Sequence, residues 1–241
     1  CDAASSLTAL QTVSFANQSV KDLSLNYSSA YRDVAFKITY NDNGTTKHVC
    51  SRDNFSIRPS TYTLVPSSTP LVGGRNYSLT INSVSGANIV PGYNQSITNT
   101  SDTIATMDLS IPTGCTLAHS STPLASFTFA NGSVVYNPFT YSNIGDVNVT
   151  ISDNDWTKID QTRFNTKGYD DCIPNSESNT SVNGKIGCLI KKIESFVFSP
   201  KAFNNALDVT NFNSDLFTYI AESNTMSANA TLTATAILDN N

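Results

Sequence analysis

The chain has 241 residues, a length that allows one large or two ordinary domains, and its hydrophobic fraction of 39% is enough for hydrophobic cores. Its formal net charge is −5. Only 14% of the residues are charged, against about 25% in an average soluble domain. Hydroxyl and amide side chains must therefore supply most of the polar surface, as is typical of extracellular proteins. The acidic balance argues against nucleic acid as a partner. No apolar run approaches the roughly 20 residues that span a bilayer, so we expect no direct membrane insertion.

Short strands with period-2 alternation are predicted along the whole chain. The predicted strands cover residues 34–38, 107–111, 127–129, 147–151 and 196–198. Turn-forming dipeptides separate them: Asn43-Gly44, Gly73-Gly74, Pro91-Gly92, Asn131-Gly132 and Asn183-Gly184. No window holds a convincing 3.6-residue apolar period. The sequence therefore predicts an all-β fold with little helix.

An internal repeat links the residues after Cys1 to those after Cys115. Residues 15–20 (FANQSV) match residues 129–134 (FANGSV), and after a one-residue slip Asp33-Val34 falls on Asp146-Val147. Such self-similarity at a fixed period is typical of repeat architectures. We expect the two stretches to be copies of one β-sandwich unit.

A second, weaker similarity follows Cys50 and Cys188. Residues 58–62 (RPSTY) resemble residues 199–203 (SPKAF), and Tyr77, Leu79 and Ile81 resemble Ala230, Leu232 and Ala234. The domains predicted from both similarities are a back half of a repeat (1–50), a complete repeat (51–172), a polar loop or linker (173–194) and a front half of a further repeat (195–241). The two halves either pack together or are completed by further chain.

Five cysteines occur in the chain, and they lack the paired spacing of a zinc site. Disulfides, and hence an oxidising compartment, are the better interpretation. Cys1 pairs with Cys50 in both schemes that we consider. Cys172 pairs either with Cys115, as the repeat suggests, or locally with Cys188, which we favour because short loops close readily; such a ring contributes about 3 kcal/mol.

Asp153, Asp155 and Asp160 form the one candidate metal site. Carboxylates at a strand end could collect calcium, which prefers several oxygen ligands, whereas solvated turn carboxylates are the commoner explanation of such a pattern. No other cofactor is indicated. Trp156, the sole tryptophan, is predicted to fill the core rather than to form an exposed platform for a ligand.

Nothing in the sequence assembles a catalytic constellation. His48 and His119 are the only histidines, and neither lies in a nucleophile motif that would supply an orienting third group. We therefore expect no enzymatic activity, with a paired-carboxylate glycosidase as the alternative. Among many Asn-x-Ser/Thr triplets, Asn148 and Asn179 have an acidic residue two positions earlier, which makes them the preferred glycosylation candidates if the source modifies asparagine.

Residues 50–59 (CSRDNFSIRP) resemble a junction in large bacterial surface proteins related to the accessory protein of mannose-sensitive haemagglutinin type IV pili. Residues 171–175 (DCIPN) and 182–188 (VNGKIGC) are similar to another stretch of those proteins. The resemblance implies tandem immunoglobulin-like β-sandwich repeats at a bacterial surface, secreted or associated with the outer membrane or a pilus. The internal repeat, together with the absence of an assembled catalytic constellation, leads us to expect cell adhesion, by binding a glycan or protein of a host or neighbouring cell, and contact with adjacent repeats of the same chain. The alternative is a secreted carbohydrate-binding module or carbohydrate-active enzyme.

Overall fold

The computed structural model describes residues 12–14, 20, 25–110, 121–161, 170–210 and 227–235. Strands account for 54% of these residues. The only helix among them is the single turn Lys158–Gln161 (α1). The prediction of an all-β fold with little helix is therefore confirmed. Within the same residues, no helix is long and apolar enough to cross a bilayer.

The strands are short, as the alternating pattern predicts. In chain order they are β1 (Tyr31–Val34), β2 (Lys37–Asp42), β3 (Thr45–Cys50), β4 (Phe55–Ile57), β5 (Thr61–Pro66), β6 (Leu71–Val72), β7 (Tyr77–Ser85), β8 (Asn88–Ile89), β9 (Ser96–Ile97), β10 (Thr103–Leu109), β11 (Thr122–Pro123), β12 (Phe127–Thr128), β13 (Ser133–Phe139), β14 (Gly145–Asp153), β15 (Cys172–Ile173), β16 (Ile186–Gly187), β17 (Ile190–Ser199), β18 (Ala202–Thr210) and β19 (Ser227–Thr235).

Two sheets face each other in the centre of the molecule. One has the order β11-β10-β14-β17-β6, and the other has the order β13-β7-β5 with β8 beside β7. The ring of Phe139 on β13 lies 5.4 Å from that of Phe196 and 5.8 Å from that of Phe198 on β17, so the sheets meet through aromatic side chains. We call this pair of sheets the central sandwich.

The strand β14 shows how the alternating pattern builds the core. Val147, Val149 and Ile151 are fully buried, because successive side chains of a strand point to opposite faces of the sheet. β14 is paired on both edges, with β10 and with β17, which places it at the centre of its sheet. The strand β17 runs without interruption from Ile190 to Ser199 and so crosses position 194/195, where the sequence suggested a domain boundary.

Asn-Gly turns close the hairpins that the sequence indicated. Asn43 and Asn131 have φ values of 50° and 54°, and the glycine after each has a φ of +85°. Consecutive residues with positive φ match the right-handed twist of the flanking strands. The first of these turns joins β2 to β3.

The polar loop between Cys172 and Cys188 is closed by a disulfide that joins these two residues. The predicted local pairing is confirmed, and the alternative pairing of Cys172 with Cys115 is wrong, because a sulfur atom forms only one disulfide bond. Cys50 is also disulfide-bonded. Cys1 and Cys115 lie outside the described residues, so the pairing of Cys1 with Cys50 stays a prediction.

Candidate functional site

A polar groove of about 420 Å³ lies at the end of the central sandwich where β14 runs into α1. Its walls carry hydroxyl, amide, carboxylate and guanidinium groups, and none of the described residues that line it is aromatic. The lining residues are Arg32, Asn94, Gln95, Ser96, Thr98, Thr100, Asp102, Thr103 and Asp155. Such a surface offers hydrogen bonds in many directions and little apolar contact.

A buried hydrogen-bond network underlies this groove and holds Asp153, which is fully buried. The hydroxyl of Tyr93 donates to Asp153 Oδ2 at 2.7 Å, and Gln95 Nε2 donates to Oδ1 at 3.3 Å. The backbone amides of Asp155 and Trp156 donate to the same Oδ1 at 2.7 and 3.1 Å. Burial raises the pKa of Asp153, and these hydrogen bonds oppose the rise.

Tyr62 extends the network toward the other sheet. Its hydroxyl lies 2.6 Å from that of Tyr93. Because the Tyr93 hydroxyl donates its one hydrogen to Asp153, Tyr62 is the donor in the bond between the two tyrosines. The rings of Tyr62, Tyr93, Phe129 and Trp156 pack as one aromatic cluster, with centroids 4.7 to 6.1 Å apart for each contacting pair. The network is therefore an integral part of the core.

Asp155 is the centre of an ion-pair network on the groove wall. Its Oδ2 accepts from Arg32 at 2.7 Å and from Gln95 at 3.0 Å, while Lys158 Nζ lies 3.0 Å from its Oδ1. Lys158 also bonds to Asp102 at 2.8 Å. Burial acts to raise the pKa of Asp155, but the bonds from Gln95, Lys158 and Arg32 together lower it.

Arg32 brings the N-terminal part of the described chain against the central sandwich. Its guanidinium lies 5.7 Å above the ring of Trp156, in the arrangement of a cation–π interaction. Trp156 itself is 4% exposed and donates from Nε1 to the carbonyl of Ile57 at 3.1 Å. The prediction that Trp156 fills the core is confirmed.

Asp160 points away from this network. Its carboxylate accepts from the backbone amide of Ser56 at 3.0 and 3.2 Å and from the Ser56 hydroxyl. Burial, with the charges of Asp171 and Asp53 nearby, raises the pKa of Asp160 to about 6, although the bonds from Ser56 act against the rise. Asp160 thus ties α1 to β4.

The three predicted calcium ligands are therefore only partly brought together. Asp153 and Asp155 share Gln95 as a hydrogen-bond partner, whereas Asp160 binds Ser56. Among the residues that the structure describes, no group of three or more His, Cys, Asp or Glu side chains could hold a metal ion. Calcium stays a prediction for which the described side chains show no ligand set.

The two glycosylation candidates lie in different surroundings. Asn148 is on β14, paired across the sheet with Asp108 and Ser195, and its Oδ1 accepts from the Ser195 hydroxyl at 2.6 Å. Asn179 is exposed in the disulfide-closed loop and donates to the Ser60 carbonyl at 3.2 Å. Asn179 is the more accessible of the two.

The sequence did not indicate Arg32, Tyr93 or Gln95 as members of a site. Tyr93 and Asp153 are 60 residues apart, and Arg32 and Asp155 are 123 apart, so no local spacing links them. The one usable signal was the strand end around Asp153, where a buried acid requires partners from elsewhere. His48 lies on β3 and its Nδ1 is 3.0 Å from the Thr39 hydroxyl, while His119 is outside the described residues.

Comparison with known proteins gives no relative for this arrangement. No family model matches the chain, and no match is found among the curated proteins or the solved structures. The site must therefore be interpreted from its own chemistry.

Proposed function

We propose that the chain is an extracellular structural and adhesive module of a bacterial surface or pilus-associated protein, built from tandem immunoglobulin-like β-sandwich repeats. It acts by spacing and by binding rather than by catalysis. The all-β fold and the Cys172–Cys188 disulfide support this proposal, since persistent disulfides are typical of secreted proteins. The resemblance to proteins related to the accessory protein of mannose-sensitive haemagglutinin pili points the same way.

The main support for the proposed repeats is that corresponding residues form the same strand pairs in two parts of the chain. The sequence repeat aligns Val34 with Val147, and the second similarity, extended three residues back, aligns Phe55 with Phe196. Val34 pairs with Phe55 between β1 and β4, and Val147 pairs with Phe196 between β14 and β17. A second set of partners corresponds in the same way: Tyr31 with Ile57, and Gly145 with Phe198.

The one-residue slip in the alignment has a structural counterpart. The pairing of β1 with β4 is irregular between Tyr31 and Val34, where an extra residue bulges out of the strand. Beyond the paired strands, Pro59 leads into β5 and Pro200 leads into β18. Each of those strands then forms an antiparallel pair, β5 with β7 and β18 with β19. These correspondences support the proposal that one strand plan recurs along the chain, as in a spacer built from repeats.

Surface labelling tests the proposed location. Antibodies raised against the central sandwich should label intact cells of the source organism as strongly as permeabilised ones, and protease treatment of intact cells should remove the signal. Labelling that appears only after permeabilisation would contradict the proposal.

A carbohydrate-binding module is the second candidate, and the polar groove favours it. Hydroxyl, amide and carboxylate groups are the partners that sugar hydroxyls use. Thr98 is exposed on the groove wall, so Thr98→Trp should fill the groove while Asp153 and Asp155 themselves are left unsubstituted. Val135→Trp, at a 61% exposed position on β13, is the matched control. Glycan binding that survives Thr98→Trp, or that Val135→Trp also abolishes, would remove the groove from consideration.

A glycosidase is less well supported than either binding function. Asp153 is fully buried, and the pKa of Asp155 is lowered because its bonds from Gln95, Lys158 and Arg32 outweigh the effect of burial, so neither acid is suited to protonate a leaving group in the groove. We expect no turnover of a chromogenic glycoside panel. Turnover that Asp155→Asn abolishes would reverse this ranking.

A further inference from the structure

The hairpin β18–β19 exposes large apolar side chains on one face. Phe203 is 65% exposed and Leu232 is 72% exposed. Phe203 pairs with Ala234, two positions from Leu232, so both side chains lie on the same side of the ribbon. The two strands pack mainly against each other. A two-stranded ribbon is only marginally stable alone in water, so this face requires a cover.

The hairpin β2–β3 presents a second face of the same kind. Ile38 and Val49 are direct partners across the hairpin and are 61% and 51% exposed. Tyr40, two positions along β2, is 44% exposed on the same side. This hairpin also has its main contacts within itself. The molecule therefore carries two different apolar ribbon faces.

The central sandwich shows what covers the corresponding positions when a repeat is complete. The sequence similarities align Phe203 with Tyr62 and Ile38 with Ile151. Tyr62 and Ile151 are both fully buried in one core. Tyr62 comes from β5 in one sheet, and Ile151 comes from β14 in the facing sheet. The two exposed faces are therefore the counterparts of two faces that pack on each other in the central sandwich.

We propose that these faces bind each other between two copies of the chain. The β18–β19 face of one copy packs on the β2–β3 face of the next, in the way that the corresponding faces pack inside the central sandwich. Because the two surfaces differ, the contact is heterologous, and copies add head to tail. This inference rests on the proposed function, which treats β18–β19 and β2 as parts of further repeats.

Sedimentation velocity of the full chain tests the inference. The wild-type chain should form oligomers whose size increases between micromolar and millimolar concentration. Leu232→Asp and Ile38→Asp should each lower the association constant by more than about a hundredfold, because each would place an unpaired carboxylate in an apolar contact. Val135→Asp, at an exposed apolar position outside both hairpins, should leave association unchanged. Fluorescence of Trp156 reports whether each variant keeps its central sandwich.

A mixture of the two variants provides the decisive test. The Ile38→Asp chain keeps an intact β18–β19 face and the Leu232→Asp chain keeps an intact β2–β3 face, so the mixture should form dimers and stop there. A wild-type chain that stays monomeric at every concentration overturns the proposal and leaves a different partner as the cover. Association that survives Ile38→Asp but not Leu232→Asp overturns it in favour of β18–β19 binding its own copy. Surface labelling is independent of all these outcomes, so failure of the proposed function is recognised separately.

Discussion

Replacing Tyr93 by Phe removes one hydroxyl from the middle of the buried network and keeps the ring. The lost hydroxyl donates to Asp153 at 2.7 Å and accepts from Tyr62 at 2.6 Å. A hydrogen bond to a charged group contributes about 1.5–3 kcal/mol, and an orphaned buried hydroxyl costs about 1–3 kcal/mol. We therefore expect Tyr93→Phe to lower the free energy of unfolding by about 4 kcal/mol.

Tyr62→Phe is the matched control, because it removes a hydroxyl at the end of the same network. Tyr93 still donates to Asp153 in that variant, so only one neutral hydrogen bond is lost, and the expected cost is about 1 kcal/mol. Urea unfolding followed by the fluorescence of Trp156, whose ring lies 4.7 Å from that of Tyr93, measures both variants. Equal costs for the two substitutions would refute the network as the source of the difference.

The loss in Tyr93→Phe should also depend on pH. Burial raises the pKa of Asp153, and the bond from Tyr93 opposes the rise, so removing that bond raises the pKa further. The native variant then binds a proton more readily than the native wild type. Its deficit in stability should therefore be smaller in mild acid, which favours protonation of Asp153, than at neutral pH. A deficit that grows on acidification would show that the sign of this argument is wrong.

Three further predictions concern other parts of the molecule. The pKa of Asp160 is raised from 3.8 to about 6 in the fold. Its contribution to the free energy of unfolding, up to about 3 kcal/mol, is therefore present below pH 3.8 and is lost as the pH rises through about 6. Asp160→Asn should flatten this pH dependence when urea unfolding is measured at several pH values. Replacing both Cys172 and Cys188 by Ser should lower the free energy of unfolding by about 3 kcal/mol and speed proteolysis of the loop between them. Gly132→Ala should lower the free energy of unfolding by at least about 1 kcal/mol more than Gly44→Ala, as measured by thermal unfolding. Both glycines have a φ of +85°, but only at Gly132 would an added Cβ meet a backbone atom, the Val90 oxygen at 2.3 Å.

Each of these predictions has an outcome that contradicts it. Stability that increases between pH 4 and pH 6 in the wild type but not in Asp160→Asn would reverse the sign assigned to this carboxyl. A cysteine-free loop that resists protease as well as the wild type would show that the disulfide does not restrain it. Equal melting temperatures for the two glycine variants would mean that the backbone around Gly132 relaxes without cost.

Local features of the chain are the part that the sequence predicted well. The alternation of Val147, Val149 and Ile151 indicates both a strand and its buried face, because the period of two is a property of the strand itself. The Asn131-Gly132 turn and the Cys172–Cys188 pairing are equally local, and each depends on residues close together in the chain. These features follow from backbone geometry and loop closure, which a single sequence displays.

The candidate site could not be derived in this way. Asp153 at a strand end was visible in the sequence, but its partners Tyr93 and Gln95 come from a segment about 60 residues earlier, and Arg32 reaches Asp155 across 123 residues. Such contacts depend on which strands become neighbours and on how the two sheets pack. Local preference encodes the strands, whereas burial of many side chains at once selects their order in space, and that order alone brings these polar groups together.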